Sequence, residues 1–191
     1  MEELGVSLNS LSLNQQDSDF DWKHIQDTNA YKNIDDKLSQ EDFYKVNKAN
    51  DVILSLVKLN NKTFGERVQR IVTELLKLEK PTSTGHDARL GELKFEIKAS
   101  RYWVKNKDFK WQHIMMDHEY DYLLLVGVDF DKLKIYLMPK KNLVDMKTAG
   151  VITQQGNAEG QGCWFERKSV LANLREIACL ADLTTFITES T

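Results

Sequence analysis

The segment from Asp121 to Val128 constrains the fold more than any other part of the chain, because it is apolar at almost every consecutive position. A strand with apolar side chains on both faces must be covered on both sides, as in sheets that carry helices on their two faces. Residues 92–99 instead alternate between charged and apolar side chains, which indicates a strand with one buried face. We therefore predict an α/β fold with a central mixed β-sheet flanked by helices.

Turn residues and apolar spacing place the other predicted elements. The run from Thr63 to Glu66 matches a helix capping box, and apolar residues at helical spacing follow it up to Pro81. Gly91 separates two strand-like segments, so we expect a hairpin that brings Asp87 back beside Glu96. The same patterns predict further helices over residues 39–60, 111–118, 139–147 and 167–182, and a further strand over residues 133–138.

Length and composition are typical of one domain inside the cell. The chain has 191 residues, of which 41% are hydrophobic, which is enough for a sizeable core. We expect residues 1–38 to form an N-terminal arm and residues 39–191 to form a single domain. No apolar run suits a membrane span, and the acidic start lacks a signal-peptide pattern. The two cysteines have neither disulfide nor metal spacing, so we expect a cytoplasmic protein.

The sequence contains seven triplets in which an acid is followed two residues later by lysine. The triplet from Glu96 to Lys98 differs from the others because it lies in a strand pattern with Asp87 nine residues upstream. The triplet from Glu92 to Lys94 is its rival on the same face, closer to the predicted turn. Two carboxylates and the Ile97 carbonyl can bind Mg²⁺, and a bound metal activates water and stabilises charge on a phosphate. Lys98 can position that water or neutralise the phosphate.

This segment resembles the active site of the PD-(D/E)XK nuclease superfamily, which includes many restriction endonucleases and repair nucleases. Asp87, Glu96 and Lys98 match the motif, and His86 stands where such enzymes often have proline. The resemblance covers roughly residues 63–138. It implies a restriction-endonuclease-like core, a Mg²⁺ site that also accepts Mn²⁺, and hydrolysis of double-stranded DNA, with sequence specificity like that of a small type II restriction enzyme.

The resemblance also implies roles for two further residues and for a second subunit. These nucleases often carry a glutamate on the helix before the site, which would make Glu66 catalytic, whereas the capping box makes it a helix cap. Gln112 resembles a glutamine that some members place beside the active site. Because both strands of a duplex must be cut, a compact subunit of this kind implies a homodimer with one site per strand.

Two stretches of the chain have the composition of a DNA-binding surface. Residues 94–110 carry six basic and two acidic side chains with aromatic residues between them, which suits contact with a phosphate backbone. Residues 151–163 are rich in glycine and in amides, which can read adenine edges in the major groove. The candidate DNA contacts are Lys94, Ser100, Arg101, Lys105, Lys107, Lys110, Gln112, Gln154, Gln155, Asn157 and Gln161.

Two alternative functions stay open at this point. A structure-selective repair or recombination nuclease would use the same residues for the same chemistry. A non-catalytic DNA-binding protein with a degenerate site would keep salt-sensitive binding without hydrolysis. The net charge of −3 does not by itself indicate a nucleic-acid binder. His113 and His118 are expected to be structural or to face DNA, because magnesium favours oxygen ligands over imidazole.

Overall fold

The computed structural model describes residues 39–156, 160 and 162–190. The N-terminal arm predicted over residues 1–38 lies outside this range, as do two candidate recognition residues, Asn157 and Gln161. The helices are α1 (Gln40–Val46), α2 (Asp51–Val57), α3 (Asn61–Leu75), α4 (Lys140–Thr148), α5 (Arg167–Val170) and α6 (Leu180–Ser190). The strands are β1 (Ala88–Leu90), β2 (Leu93–Trp103), β3 (Asp108–Ile114), β4 (Tyr122–Val128), β5 (Leu133–Pro139), β6 (Thr153–Gln154), β7 (Cys163–Glu166) and β8 (Arg175–Ile177).

Within the described residues, the eight strands form one mixed sheet in the order β6-β7-β3-β2-β4-β5-β8, with β1 paired to β2. Strands β2 and β4 run parallel, with Glu96 opposite Leu123 and Lys98 opposite Leu125, and the other pairs are antiparallel. The long strand β2 therefore has β1 beside its first residues, β3 beside its last residues, and β4 along its other edge.

Strand β4 separates two hydrophobic clusters. Leu124 belongs to the cluster that contains Val68 of α3, whereas its neighbour Leu123 belongs to the cluster that contains Leu143 of α4. Successive side chains of a strand point to opposite faces, so helices α3 and α4 cover opposite faces of the sheet. This confirms the prediction of an α/β fold with a mixed sheet flanked by helices. None of the helices in the described part of the chain has the length and apolar character needed to cross a membrane.

The predicted capping box at the start of α3 is wrong. The helix begins at Asn61, and the Asn60 side chain accepts a hydrogen bond of 3.0 Å from the Thr63 backbone N–H. Asparagine is among the best N-cap residues, so it begins the helix three residues earlier than Thr63 would. Glu66 consequently lies in the second turn of α3 and is not the partner of a capping threonine.

Two predicted helices are interrupted. The helix predicted over residues 39–60 is divided into α1 and α2, because Lys48 has a φ of 60° and Asn50 begins the next helix as its N-cap. The Ser39 side chain caps the start of α1 by accepting a hydrogen bond of 3.0 Å from the Asp42 N–H. The helix predicted over residues 167–182 is wrong, since this stretch contains α5, a short 3₁₀ turn, β8 and only the start of α6.

The helix predicted over residues 111–118 is also wrong. Its first residues form the second half of strand β3, which pairs with β7 through Trp111 opposite Phe165 and Ile114 opposite Cys163. Trp111 and Ile114 are fully buried in the second cluster, and their spacing of three residues imitates one face of a helix. An irregularity in the pairing lies between them, where His113 has a φ of 56°. This bulge lets both side chains reach the same core from a strand.

Candidate active site on strands β1 and β2

The hairpin of β1 and β2 brings the two predicted carboxylates together. Ala88 pairs with Phe95, and Gly91 takes up the turn with a φ of 59°. The Asp87 backbone N–H donates to the Phe95 carbonyl at 2.8 Å. Its side chain then accepts a hydrogen bond of 2.7 Å from the Ile97 N–H through Oδ2. Asp87 is thereby held against the strand that carries Glu96, as the sequence predicted.

Glu96 is the buried member of this site. Its side chain is only 4% exposed, and its Oε1 lies 2.7 Å from the Nζ of Lys98, which is 22% exposed. The two side chains point to the same face because they are two residues apart on one strand. The rival acid, Glu92, is exposed beside the turn. Burial therefore favours Glu96 over Glu92 as the candidate metal-binding acid, because water screens the charge of the exposed Glu92 carboxylate.

Two further residues lie near Glu96: His118, which was expected to be structural or to face DNA, and Tyr120, which the sequence did not indicate. His118 Nδ1 lies 3.8 Å from Glu96 Oε2, which is too far for a hydrogen bond. This nitrogen and the hydroxyl oxygen of Tyr120 are buried and have no hydrogen-bond partner among the described residues. Lys140 Nζ donates to the His118 carbonyl at 2.6 Å and lies 4.6 Å from the centre of the Tyr120 ring.

The position of His118 and Tyr120 follows from the sheet. Both residues come just before β4, and parallel pairing sets the start of β4 beside Glu96 of β2. The sequence shows that His118 and Tyr120 come just before a buried strand, but it does not show that this strand lies parallel to β2. That pairing joins residues far apart in the chain, so no local pattern shows it.

The site concentrates negative charge away from water. Burial raises the pKa of the Asp87 carboxyl, and the charge of Glu96 raises it further. The hydrogen bond from Ile97 and the charges of Lys98 and His118 act in the opposite direction but do not cancel this shift. Burial and then the charge of Glu96 likewise raise the pKa of Tyr120. A cation at this place would relieve the repulsion between the two carboxylates.

The donor set fits a hard divalent cation that keeps some of its own water. No group of three or more His, Cys, Asp and Glu side chains among the described residues has an arrangement that could hold a metal ion. The predicted set is smaller, with the carboxylates of Asp87 and Glu96 and the carbonyl of Ile97. Magnesium is commonly bound by one or two carboxylates, with water and phosphate completing its shell. The chemistry of these donors is therefore compatible with Mg²⁺ or Mn²⁺.

Glu66 is not brought to this cluster by any described contact. It is exposed on α3 and lines a small cavity with Thr63, Arg67 and Arg70. That cavity includes none of the three hairpin residues. The catalytic role that the resemblance implies for Glu66 thus has no geometric support, although the helix that carries it packs against β2.

The candidate DNA contacts among the described residues fall into three groups. Arg101 is buried, and its guanidinium donates to the carbonyls of Val57 and Leu59 and to Asn61 Oδ1 at 3.0 Å. Ser100 is buried as well and accepts a hydrogen bond from the Lys110 N–H. These two side chains hold the structure together instead of facing solvent. The exposed candidates are Lys105, Lys107, Gln112 and Gln154.

Three other candidates are engaged at the surface. Lys94 Nζ lies 3.2 Å from a carboxylate oxygen of Glu119, and Lys110 Nζ lies 3.7 Å from the centre of the Trp164 ring. Gln155 accepts a hydrogen bond of 2.9 Å from the His113 N–H, which ties the glycine-rich segment to the bulge in β3. This hydrogen bond holds Gln155, within the segment that was predicted to read bases, against strand β3.

A comparison with protein-family models finds no match to this chain, and a comparison with curated proteins finds none either. The chemistry of the site therefore has to be argued from the arrangement of Asp87, Glu96 and Lys98 and from their surroundings.

Proposed function

We propose that this protein is a metal-dependent endonuclease that hydrolyses phosphodiester bonds in double-stranded DNA, built on a restriction-endonuclease-like core. The observation that carries the proposal is the buried carboxylate of Glu96, held 2.7 Å from Lys98 and beside Asp87 on one hairpin. An acid and a lysine in this arrangement, with a second carboxylate adjacent, supply the ligands and the cation that phosphodiester hydrolysis needs.

Each residue has a defined role in this proposal. Asp87, Glu96 and the Ile97 carbonyl would hold Mg²⁺ or Mn²⁺, which when bound neutralises charge on the phosphate and lowers the pKa of a water ligand. Lys98, whose Nζ lies beside Glu96, orients the attacking water or neutralises a phosphate oxygen. Water adds to phosphorus and the bond to the leaving sugar oxygen breaks, which yields a phosphate monoester and an alcohol.

Recognition would come from the surfaces around this site. The exposed amide of Gln154 is suited to reading bases, while Lys105 and Lys107 are suited to contacting phosphate. Both polar atoms of the Gln155 amide already contact His113. A cytoplasmic homodimer with one site for each strand would cut both strands of a duplex. This would make the protein similar in action to a type II restriction enzyme.

The proposal is tested with a long linear duplex of known sequence, purified protein, and either Mg²⁺ or a chelator. Discrete fragments that appear only with Mg²⁺ are the expected result. Cutting only at branches, flaps or mismatches would indicate a structure-selective nuclease, and salt-sensitive binding without any cutting would indicate a DNA-binding protein. Intact DNA without binding, on linear and branched substrates alike, would overturn the proposal.

A further inference from the structure

A groove of about 650 Å³ runs along the second half of α3 and reaches Asp87. Its walls carry three basic side chains, Arg70, Lys77 and Lys80, against one further acid, Glu74. All three basic residues are exposed. The groove therefore leads from a row of positive charges to one of the two carboxylates of the candidate active site.

These three charges are available to a ligand. In the part of the chain that the structure describes, none of Arg70, Lys77 and Lys80 has a side-chain hydrogen bond or an ion pair. Other basic residues near the site are already engaged, as with Lys94 by Glu119 and Arg89 by Glu79. A groove that collects unpaired cations beside paired ones is suited to an anion that comes from outside the protein.

The backbone of Lys77 is in the left-handed region, with a φ of 51°. It follows the end of α3, where its N–H donates to the Glu74 carbonyl. Glycine is the residue favoured at this position of a helix terminus, since a side chain there is strained. Lys48 and Lys107 have the same backbone conformation outside the groove, so this strain does not by itself indicate a ligand, but it makes Lys77→Gly a change that the backbone tolerates.

The spacing of the charges fits a chain of phosphates better than a single anion. Arg70 and Lys77 are seven residues apart along α3 and its last turn, a rise of roughly 10 Å. One strand of B-form DNA places a phosphate about every 3.4 Å of helix axis, and farther apart along the strand itself, so a span of this length reaches more than one phosphate. A small anion would contact only one end of the row.

We propose that this groove holds the sugar–phosphate backbone of the strand that is cut and guides it to Asp87. This inference rests on the proposed function and names the surface through which the duplex is held. The groove lies on α3, outside the basic segment of residues 94–110. It supplies the unpaired cations that the buried Arg101 and the paired Lys94 do not.

The chain offers a matched pair of variants for the test. Lys48 is also an exposed lysine with a left-handed backbone, at the end of α1. Lys77→Gly and Lys48→Gly each remove one positive charge and relieve the same strain, but only Lys77 lines the groove. Neither change should reduce the unfolding temperature, so altered binding cannot be attributed to loss of folding.

Binding is measured with a fluorescent duplex of mixed sequence over a range of salt concentrations. All proteins carry Lys98→Ala, so that the probe is not consumed. Removing one phosphate contact makes the negative slope of log K against log salt shallower by about 0.9, which corresponds to roughly eightfold weaker binding at 0.1 M salt. We expect this loss for Lys77→Gly and no change for Lys48→Gly. The double change Arg70→Ala/Lys80→Ala should make the slope shallower by about twice as much.

The possible outcomes separate this inference from the proposed function. Unchanged binding in Lys77→Gly and in the double variant, or equal losses in Lys77→Gly and Lys48→Gly, would overturn the groove proposal. If the wild type still cut DNA in that case, the proposed function would stand without this groove. A wild type that neither binds nor cuts duplex DNA would overturn both.

Discussion

Two ion pairs in this protein share the same sequence spacing but have different surroundings. Lys98 Nζ lies 2.7 Å from Glu96, and Lys168 Nζ lies 2.6 Å from Glu166, so the acid–lysine geometry is nearly the same. The two acids are 17% exposed for Glu166 and 4% exposed for Glu96, and the two lysines are 62% exposed for Lys168 and 22% exposed for Lys98. Both members of the Glu96 pair are therefore more deeply buried. The spacing alone is therefore not diagnostic, and burial distinguishes the candidate site.

A third acid shows what a structural buried carboxylate looks like. Asp108 is 2% exposed and accepts hydrogen bonds from the Phe109 N–H at 2.9 Å, from Arg167 Nε at 2.8 Å and from the Lys168 N–H at 2.8 Å. Glu96 has the Lys98 contact, and the polar atoms nearest to it on the β4 side have no partner. Buried polar groups without partners are costly and concentrate at functional sites.

The largest expected effect comes from removing the charge of Glu96. Glu96→Gln should lower the rate of DNA cleavage by about a thousandfold, or about 4 kcal/mol, because a metal-binding carboxylate is lost. Glu166→Gln changes the matching acid of the more exposed pair and should leave cleavage unchanged. Rates are measured on one linear duplex with Mg²⁺ after both variants are shown to be folded. Equal cleavage rates for the two variants would contradict the assignment of the active site to the buried Glu96 pair.

Asp108→Ala should lower the stability of the fold strongly and leave the cleavage rate of the folded protein unchanged, in contrast to Glu96→Gln. It leaves the Arg167 guanidinium and the Lys168 N–H without their acceptor, which should cost about 2–4 kcal/mol. Chemical denaturation measures this change in the free energy of unfolding. The fraction that remains folded should cleave at the wild-type rate. A specific loss of cleavage in fully folded protein would show that Asp108 belongs to the site.

Tyr120→Phe tests whether the buried hydroxyl without a partner has a use. If the hydroxyl binds water or a phosphate oxygen in the reacting complex, its loss should lower cleavage up to about tenfold. The free energy of unfolding should stay the same or rise, because a buried hydroxyl without a partner is costly. Tyr136 is equally buried but interacts with the charged guanidinium of Arg167, so Tyr136→Phe should lower stability and spare cleavage. A Tyr120→Phe variant that is more stable and cleaves normally would show that this hydroxyl has no role in cleavage.

The smallest expected effect is a dependence of stability on pH at Asp87. Burial and Glu96 raise the pKa of this carboxyl in the folded protein, so ionisation destabilises the fold as pH rises past the ordinary aspartate range. Asp87→Asn should therefore be more stable than the wild type at pH 7, within about 1 kcal/mol, while losing cleavage. Thermal unfolding at pH 7 and at pH 4 checks this. The gain should vanish at pH 4, and a gain independent of pH would contradict it.

The parts of the fold that local patterns define were predicted well. The strand predicted over 121–128 is Tyr122–Val128, and the helix predicted over 139–147 is Lys140–Thr148. Residues 111–118 and 167–182 were misassigned because their structure depends on distant partners. Trp111 pairs with Phe165, and Ile177 pairs with Ile135, in each case across more than forty residues of sequence.

The same reason explains how much of the candidate site the sequence predicted. Asp87, Glu96 and Lys98 belong to one hairpin, so their proximity follows from a turn at Gly91 and an alternating strand. His118 and Tyr120 reach Glu96 only through the parallel pairing of β2 with β4. The choice of Glu96 over Glu92 likewise required the burial of each acid, which spacing does not give.

The most direct test of the central claim compares Lys98→Ala with Lys168→Ala in cleavage of a linear duplex with Mg²⁺. Both changes remove the lysine of an acid–lysine pair with nearly the same distance. The expected result is discrete fragments from the wild type and from Lys168→Ala, and none from a folded Lys98→Ala protein. Equal cleavage by both variants would contradict the assignment of the active site to Glu96 and Lys98.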